Sequence, residues 1–132
     1  MIVMTPEEEK ITTRMRELLA SVPTYRPEYP CYARRHANGI SVAYRTTELN
    51  PTTSTHFDFQ MSGDVAYVLY IQRDEKDRDK RIGQALYLAI EQLVREQGCK
   101  RIELTPSGSG KKGIWESLGF QPGEGRSLQK ML

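Results

Sequence analysis

The strongest periodic pattern in the chain lies between residues 82 and 97. Apolar side chains recur there at steps of three and four residues, as one face of an α-helix requires. They are Ile82, Ala85, Leu86, Ala89, Ile90, Leu93 and Val94. Gly98 follows them and is a typical helix stop. The pattern therefore predicts an amphipathic helix over residues 82–97.

A second helix is predicted over residues 5–22. Thr5 suits the N-cap, Pro6 the first helical position and Glu8 the third residue of a capping box. Apolar residues then fall on one face at helical spacing: Ile11, Met15, Leu18, Leu19 and Val22. The segment GKKGIWESLGF, residues 110–120, predicts a third, short helix that ends at Gly119.

Alternation of polar and apolar positions predicts the strands. Residues 55–61 place Phe57, Phe59 and Met61 on one face and polar side chains on the other. Further strands are predicted at residues 31–35, 40–45 and 100–105, and in the C-terminal segment 125–132. The run VAYVLYI, residues 65–71, is apolar without alternation, which predicts a strand covered on both faces.

The order of these elements predicts one local topology. The strand at 65–71, the helix at 82–97 and the next strand form a crossover unit. Strands joined in this way lie parallel, so residues 65–71 and 101–105 are expected to be parallel or splayed neighbours.

Composition narrows the class of protein. A chain of 132 residues suits one domain, and a net charge of +2 argues for neither nucleic acid nor an anionic membrane as a partner. We find no signal peptide and no apolar run near the roughly 20 residues that span a bilayer. Cys31 and Cys99 have no CxxC or His-rich context, so we expect reduced thiols, no metal site and a cytoplasmic location.

A charged segment, QRDEKDRDKR at residues 72–81, immediately precedes the helix at 82–97. The first turn of a helix has unpaired N–H groups and the positive end of the helix dipole, and it binds phosphate through the main chain. Arg78, Lys80 and Arg81 add positive charge, while Gly83 removes a Cβ where a ligand would approach. Charge runs alone are usually solvated loops. The order strand, basic loop, glycine, helix favours a phosphate site.

Two motifs in this region resemble the GNAT superfamily of N-acetyltransferases. The family fingerprint, Gln/Arg-x-x-Gly-x-Gly/Ala at the start of a helix, reads RDKRIGQAL at residues 78–86. The closing Leu-Gly-Phe signature reads IWESLGF at residues 114–120. The resemblance covers the chain from Asp64 onward, whereas the N-terminal half matches only in the order of its elements. Either motif alone would be weak, but two in the right order are fairly specific.

The resemblance implies a single α+β domain over residues 1–132 with the GNAT fold. We expect a central mixed, mostly antiparallel sheet that contains a splayed parallel pair of strands. Helices are expected on both faces, with the helix at 82–97 on one face and the helix at 5–22 on the other.

The resemblance also implies an enzyme, an acyltransferase that uses acetyl-CoA. Main-chain N–H groups would bind the pyrophosphate, and we assign this site to Arg78, Asp79, Lys80, Arg81, Ile82, Gly83, Gln84 and Ala85. The strand edge at Leu69, Tyr70 and Ile71 would pair with the pantetheine arm, and the thioester would lie between the splayed strands. A primary amine, of a small molecule or of a peptide or protein, would attack the thioester directly. Residues 23–32 and 48–55 are expected to line the acceptor side.

The sequence departs from the family pattern at several positions. Arg81 occupies the first glycine position of the fingerprint, and glycine near Gly108 replaces a common asparagine. Trp115 stands where the family often has a tyrosine that protonates the departing thiolate. An indole N–H donates a hydrogen bond but is no practical proton donor at neutral pH, so packing in the core is the favoured role of Trp115.

A general base is needed to deprotonate the acceptor ammonium. A common family position for a glutamate falls at Val65, which cannot serve. The remaining candidates are Asp64, His56, Asp58 and Glu103. Each also has a purely structural interpretation, as an ion-pair partner or as part of a solvated strand face. We assign the role to Glu103, and a water chain to bulk solvent remains an alternative.

Three other functions were weighed. A P-loop in the segment TPSGSGKKG fails because Thr105 replaces the first glycine and Lys112 the Ser/Thr, although Lys111 or Lys112 could still contact a CoA phosphate. A GNAT-like module that binds CoA without turnover remains the alternative function. Nucleic-acid binding ranks last because acidic residues interleave with the basic ones in residues 73–81. Assembly of two copies into a homodimer is an alternative to a monomer.

Overall fold

The computed structural model describes residues 3–46, 55–72, 82–106 and 112–132, and of Tyr70, Gln72 and residues 112–114 it describes the backbone alone. Three helices are formed: α1 (Pro6–Leu19), α2 (Ile82–Glu96) and α3 (Lys112–Ser117). The strands are β1 (Cys31–His36), β2 (Gly39–Arg45), β3 (His56–Ser62), β4 (Val65–Gln72), β5 (Arg101–Leu104), β6 (Gln121–Pro122) and β7 (Leu128–Met131). The three predicted helices and the predicted strands at residues 31–35, 40–45, 55–61, 65–71, 100–105 and 125–132 are present, whereas the two-residue β6 was not predicted.

All strands belong to one seven-stranded sheet in the order β1-β2-β3-β4-β5-β7-β6. The pair β4 and β5 is parallel, as predicted for the crossover unit, and every other neighbouring pair is antiparallel. The predicted fold class is confirmed: the protein is α+β, with a mixed and mostly antiparallel sheet flanked by helices.

The start of α1 is the predicted capping box. Thr5 Oγ1 accepts a hydrogen bond from the Glu8 N–H at 3.2 Å, and Glu8 Oε1 accepts one from the Thr5 N–H at 2.7 Å. These bonds satisfy amides of the first turn that have no partner inside the helix. The helix ends at Leu19, a few residues before the predicted end, because residues 20–24 form turns.

One face of the sheet is closed by helices and forms the core. Side chains that share this face across the registered strands are buried, among them Ala33, Val42, Phe59, Val68 and Leu104. The predicted inward residues Phe57, Phe59 and Met61 are confirmed. The buried side chains of α1 and α2 belong to the same cluster: Ile11, Met15, Leu19, Ile82, Leu86, Tyr87, Ile90, Leu93 and Val94.

The predicted placement of α1 on the face opposite α2 is corrected. The two helices contact each other, and Arg14 of α1 makes a bidentate ion pair with Glu96 of α2 at 2.7 Å. Both helices therefore pack on the closed face. The helical repeat of α1 predicted that one of its sides is buried, but a repeat carries no information about which face of the sheet it covers.

The second face of the sheet is polar and largely accessible, and we call it the open face. It presents Ser41, Asp58, Gln60 and Glu103, all half-buried. Tyr67 and Leu69 of β4 are 39% and 58% exposed on this side, so the prediction that this strand is covered on both faces is wrong. Apolar residues at consecutive positions are compatible with one accessible face. No helix of the described residues is long and apolar enough to cross a bilayer.

Candidate functional site

The parallel strands β4 and β5 part before β4 ends. Their pairing runs from Val65 opposite Arg101 to Val68 opposite Leu104, where β5 stops. β4 continues to Gln72 and is paired on its other edge with β3. On the β5 side, the backbone of Leu69, Tyr70 and Ile71 therefore has no strand partner in the described part of the chain. This is the strand edge that the sequence analysis assigned to the pantetheine arm.

A β-bulge lies at the point where the strands part. Asp58 of β3 pairs with Tyr70, whereas the next residue, Phe59, pairs with Val68, so Leu69 is an extra residue in β4. A bulge interrupts the ladder and re-aims the neighbouring side chains. The bulge was not predicted, because the sequence of an apolar strand does not reveal its register against a neighbour.

The helix α2 begins at Ile82 and presents its first turn without an acidic side chain. Ile82 is fully buried, while Gly83 and Ala85 are half-buried and Gln84 is exposed. A Cβ placed on Gly83 would meet no atom of the described residues within 4 Å outside its own helix turn. Within the described part of the chain, nothing therefore requires glycine at this position, and space is open beside the N–H groups of the first turn. Arg78, Asp79, Lys80 and Arg81 lie outside the described residues.

The proposed base Glu103 lies on the open face of β5, opposite Tyr67 of β4. Its Oε1 is 3.1 Å from Arg101 Nε, and the side chains are 28% and 36% exposed. The Arg101 Nε nevertheless has no partner with hydrogen-bond geometry in the described residues. The Glu103 carboxylate is partly accessible from the open face.

Trp115 packs in an aromatic cluster next to α2. Its ring lies 5.6 Å from Tyr87 and 5.5 Å from Phe120, centroid to centroid, with interplanar angles of 80° and 74°. Tyr87 and Phe120 themselves meet at 5.5 Å. Such edge-to-face contacts are favourable because the positive edge of one ring meets the negative face of another. The contacts agree with a packing role for this half-buried residue.

A polar network behind this cluster was not predicted. Glu91 Oε1 accepts hydrogen bonds from the Tyr87 hydroxyl at 2.7 Å and from Lys130 Nζ at 2.6 Å. Burial raises the pKa of Tyr87, and its bond to Glu91 adds to that shift. Burial opposes the charge on Glu91, but the bonds from Lys130 and Tyr87 lower its pKa. The sequence shows that Tyr87 and Glu91 have the spacing of neighbours on one helix face. It does not show that Lys130, on a distant strand, lies beside them.

The other candidate bases are at different places. Asp64 is exposed in the turn before β4, far from the end where the strands part. Asp58 and His56 lie on the open face of β3, where Asp58 is next to the bulge. Gly108, Lys111 and most of the acceptor segment 48–55 lie outside the described residues, and the Lys112 side chain is not described.

A model of the acetyltransferase (GNAT) family matches residues 7–120. The chain belongs to this family. The resemblance that the two motifs indicated is confirmed, and it extends through the N-terminal half, where the sequence showed only the order of elements. Members of the GNAT family are acetyltransferases that generally use acetyl-CoA.

Solved structures show the same GNAT fold. An acetyltransferase from Bacillus cereus ATCC 14579 superposes with a TM-score of 0.58 at 16% identity, over 100% of this chain and 96% of the other. PaiA N-acetyltransferase from Thermoplasma acidophilum, in complex with coenzyme A, gives 0.54 at 16% identity over 72% and 62% of the chains.

The ribosomal-protein-S18-alanine N-acetyltransferase from Escherichia coli is also similar, with a TM-score of 0.50 at 18% identity over 87% and 75% of the chains. No curated protein matches the sequence. At these identities the structural likeness shows the fold alone, and the acceptor has to be argued from the site of this GNAT protein.

Proposed function

We propose that the protein transfers an acetyl group from acetyl-CoA to a primary amine. The observation that carries this proposal is the parting of β4 and β5 after Val68 and Leu104. Among the described residues it leaves a strand edge without a partner, and the first turn of α2 follows that strand in the chain. A strand edge for amides and a helix N-terminus for phosphates are the two kinds of main-chain site that a pantetheine diphosphate needs.

The residues present fit acetyl-CoA. The amides of Ile82, Gly83, Gln84 and Ala85 begin α2, and the absence of a carboxylate in that turn leaves the dipole available to an anion. We propose that these amides and those of residues 78–81 bind the pyrophosphate. Leu69, Tyr70 and Ile71 would hold the pantetheine amides in strand-like hydrogen bonds. When bound, acetyl-CoA supplies a thioester whose carbonyl carbon is open to nucleophilic attack.

We assign proton removal to Glu103. An ammonium group has no lone pair, so a carboxylate must accept its proton before the nitrogen can attack. Glu103 lies on the open face, across from Tyr67 and just before the strands part. Arg101 Nε lies 3.1 Å from the same carboxylate. Trp115 would line the site by packing, since its N–H is at most a hydrogen-bond donor.

The acceptor would enter from the open face. α1 and α2 cover the closed face, so among the described elements the open face gives the accessible route to the gap between β4 and β5. Direct attack requires the amine and the thioester to be bound together at this gap.

The substitution Gly83→Trp tests the cofactor site. A large side chain would fill the open space beside the first turn of α2, so we expect coenzyme A binding, measured by calorimetry, to be lost. The fold should persist, because the position is uncrowded and glycine is a poor helix former by about 1 kcal/mol. Circular dichroism is expected to stay close to that of the unsubstituted protein.

Leu88→Trp is the matched control, because Leu88 is 47% exposed on the same helix but lies beyond its first turn. It should leave coenzyme A affinity unchanged. Equal affinity of both variants would refute the assignment of this site. Tight binding without thiol release from any amine would instead support the alternative, a CoA-binding module without turnover.

A further inference from the structure

Asp58 is a half-buried carboxylate on the open face with no Lys or Arg beside it in the described residues. Burial raises its pKa, against the opposing effect of His36 and His56. A carboxylate that has lost part of its hydration is stabilised by a positive charge that comes into contact with it. Contact with a cation would therefore stabilise the Asp58 carboxylate.

Several other carboxylates of the described residues contact a basic side chain. Glu91 contacts Lys130 at 2.6 Å, and Glu103 contacts Arg101 at 3.1 Å. Glu96, with a side chain 28% exposed, contacts Arg14 at 2.7 Å. Asp58 differs from these three because no Lys or Arg of the described residues forms an ion pair with it, although Arg45 lies on the same face of β2, two residues from Ala43. The nearest arginine of the edge strand, Arg34, stacks instead over Tyr32 at 5.7 Å.

Asp58 lies next to the proposed reaction centre, the point at which β4 and β5 part. It pairs with Tyr70, in the part of β4 beyond the pairing with β5, and it adjoins the bulge at Leu69. Glu103 lies on the other side of β4, on β5. Gln60, and not Asp58, is in register with Tyr67 and Glu103, so Asp58 is displaced along β3 as well as across two strands. With neighbouring strands about 4.8 Å apart and a rise of about 3.4 Å per residue, the Cα atoms of Asp58 and Glu103 are roughly 12 Å apart. A bound molecule that crosses Tyr67 and Leu69 would reach both.

The surroundings of Asp58 leave room for an organic cation. Its neighbour across the open face is Ala43, a small residue, and beyond Ala43 lies Tyr32, which is 43% exposed. His36 lies behind, with Nε2 at 2.7 Å from Ser41 Oγ. The described residues contain no group of three or more ligating side chains arranged for a metal ion. The occupant is therefore better argued as an ammonium group than as a metal.

We propose that Asp58 binds a second positive charge on the amine acceptor, so that the preferred acceptor is an aliphatic amine with another cationic group. This inference rests on the proposed function. The reacting amine would lie beside Glu103 and the other ammonium group beside Asp58. Asp58 takes part in no covalent step. It contributes to binding the acceptor in the ground state and the transition state alike, which lowers KM without raising kcat.

The test is the binding of α,ω-diamines, from diaminoethane to diaminooctane, to the protein saturated with coenzyme A, with butylamine as the singly charged reference. We expect affinity to rise with length and to exceed that of butylamine. Asp58→Asn should lower the affinity for the best diamine roughly tenfold and leave that of butylamine unchanged, as expected for one lost charge contact at a partly buried site.

Asp64→Asn is the matched control, because it makes the same chemical change on an exposed turn at the far end of the β3–β4 hairpin. It should leave diamine affinity unchanged. In turnover with acetyl-CoA, Asp58→Asn should raise KM for the diamine with little change in kcat. Glu103→Gln, by contrast, should lower kcat for every amine acceptor, butylamine included.

Equal binding of butylamine and every diamine would overturn the inference, as would an Asp58→Asn variant that binds diamines like the unsubstituted protein. Failure of all diamines to bind or to be acetylated would overturn it as well. These results are separable from failure of the proposed function, which would appear as a protein that does not bind acetyl-CoA at all.

Discussion

Trp115 illustrates how one side chain can occupy a family position and have a different role. Its ring is fixed by Tyr87 and Phe120 at 5.6 and 5.5 Å. Tyr87 is in turn held by its hydrogen bond to Glu91, which also binds Lys130. The indole is therefore fixed by packing against Tyr87 and Phe120, which agrees with the packing role predicted for it.

Replacement of Trp115 by Phe is therefore expected to reduce the rate of acetyl transfer only modestly, by less than tenfold. An edge-on ring is retained, and a residue that does not transfer a proton contributes little of the ~10²–10⁴-fold typical of general acid catalysis. Steady-state kinetics measures the rate, with coenzyme A affinity and circular dichroism as controls. A collapse of kcat in a folded variant that still binds coenzyme A would show that the N–H has a direct catalytic role.

At the scale of elements, α1 protects the outer edge of the sheet. Edge strands expose N–H and C=O groups that invite pairing with other chains. Here the N–H of Ala33 donates to Thr12 Oγ1 at 2.9 Å and the N–H of Arg35 to Glu8 Oε2 at 2.7 Å. Arg16 donates to the carbonyl of Cys31 at 3.3 Å. Side chains of the helix thus take the place of a further strand.

Thr12→Val should destabilise the protein. It keeps the shape of the side chain but removes the acceptor for the buried Ala33 N–H, and an unsatisfied buried donor costs about 1–3 kcal/mol. Thr13→Val is the matched control: the next residue is also threonine but is exposed, so a change within about 0.5 kcal/mol is expected. Urea unfolding measures both. Equal stability of the two variants would show that the Thr12 bond contributes nothing net.

The elements themselves could be predicted because their signals are local. The repeat of α2, the capping box at Thr5 and the alternation of β3 each lie within one segment, and all three are present in the structure. The placement of α1 and the exposure of β4 could not be predicted in the same way. They depend on long-range contacts such as the ion pair between Arg14 and Glu96.

The candidate site also has one part that a local sequence motif predicts and one part that it does not. The start of α2 was located by a contiguous motif around Gly83, and the structure places a helix start there. The relation of Asp58 to β4 depends on the bulge at Leu69 and on strand register. Register is set by packing across strands, so no spacing within one segment reveals it.

At the scale of the whole molecule, ion pairs join the elements that build the closed face. Arg14 and Glu96 connect α1 to the last turn of α2, and Glu91 and Lys130 connect α2 to β7. Hydrogen bonds from Arg14 and Gln92 lower the pKa of Glu96 to about 2. The pKa of Glu8 is lowered by the backbone N–H groups of Thr5 and Arg35, and that of Glu91 by Lys130 and Tyr87 against the effect of burial.

These shifts predict a loss of stability in acid. A carboxyl group whose pKa is lower in the folded state than in the unfolded chain stabilises the fold above its ordinary value of about 4.5, and this contribution disappears as the pH falls through the folded pKa. For Glu96 the window therefore runs from about pH 5 to about pH 2. Asp58 acts in the opposite sense, because burial raises its pKa.

Glu96→Gln should lower the free energy of unfolding at neutral pH. It should also make that free energy depend less on pH between about pH 5 and about pH 2. Glu116→Gln, on the exposed side of α3, is the control and should leave the pH dependence unchanged. The Arg14–Glu96 pair is solvent-accessible, so salt screens it, and the Debye length is only about 3 Å at 1 M. High salt should therefore reduce the difference in free energy of unfolding between the Glu96→Gln and unsubstituted proteins. Urea titrations across the acid range, at low and high salt, measure both effects. A pH profile that Glu96→Gln leaves unaltered would show that the link between α1 and α2 depends on apolar packing and not on this ion pair.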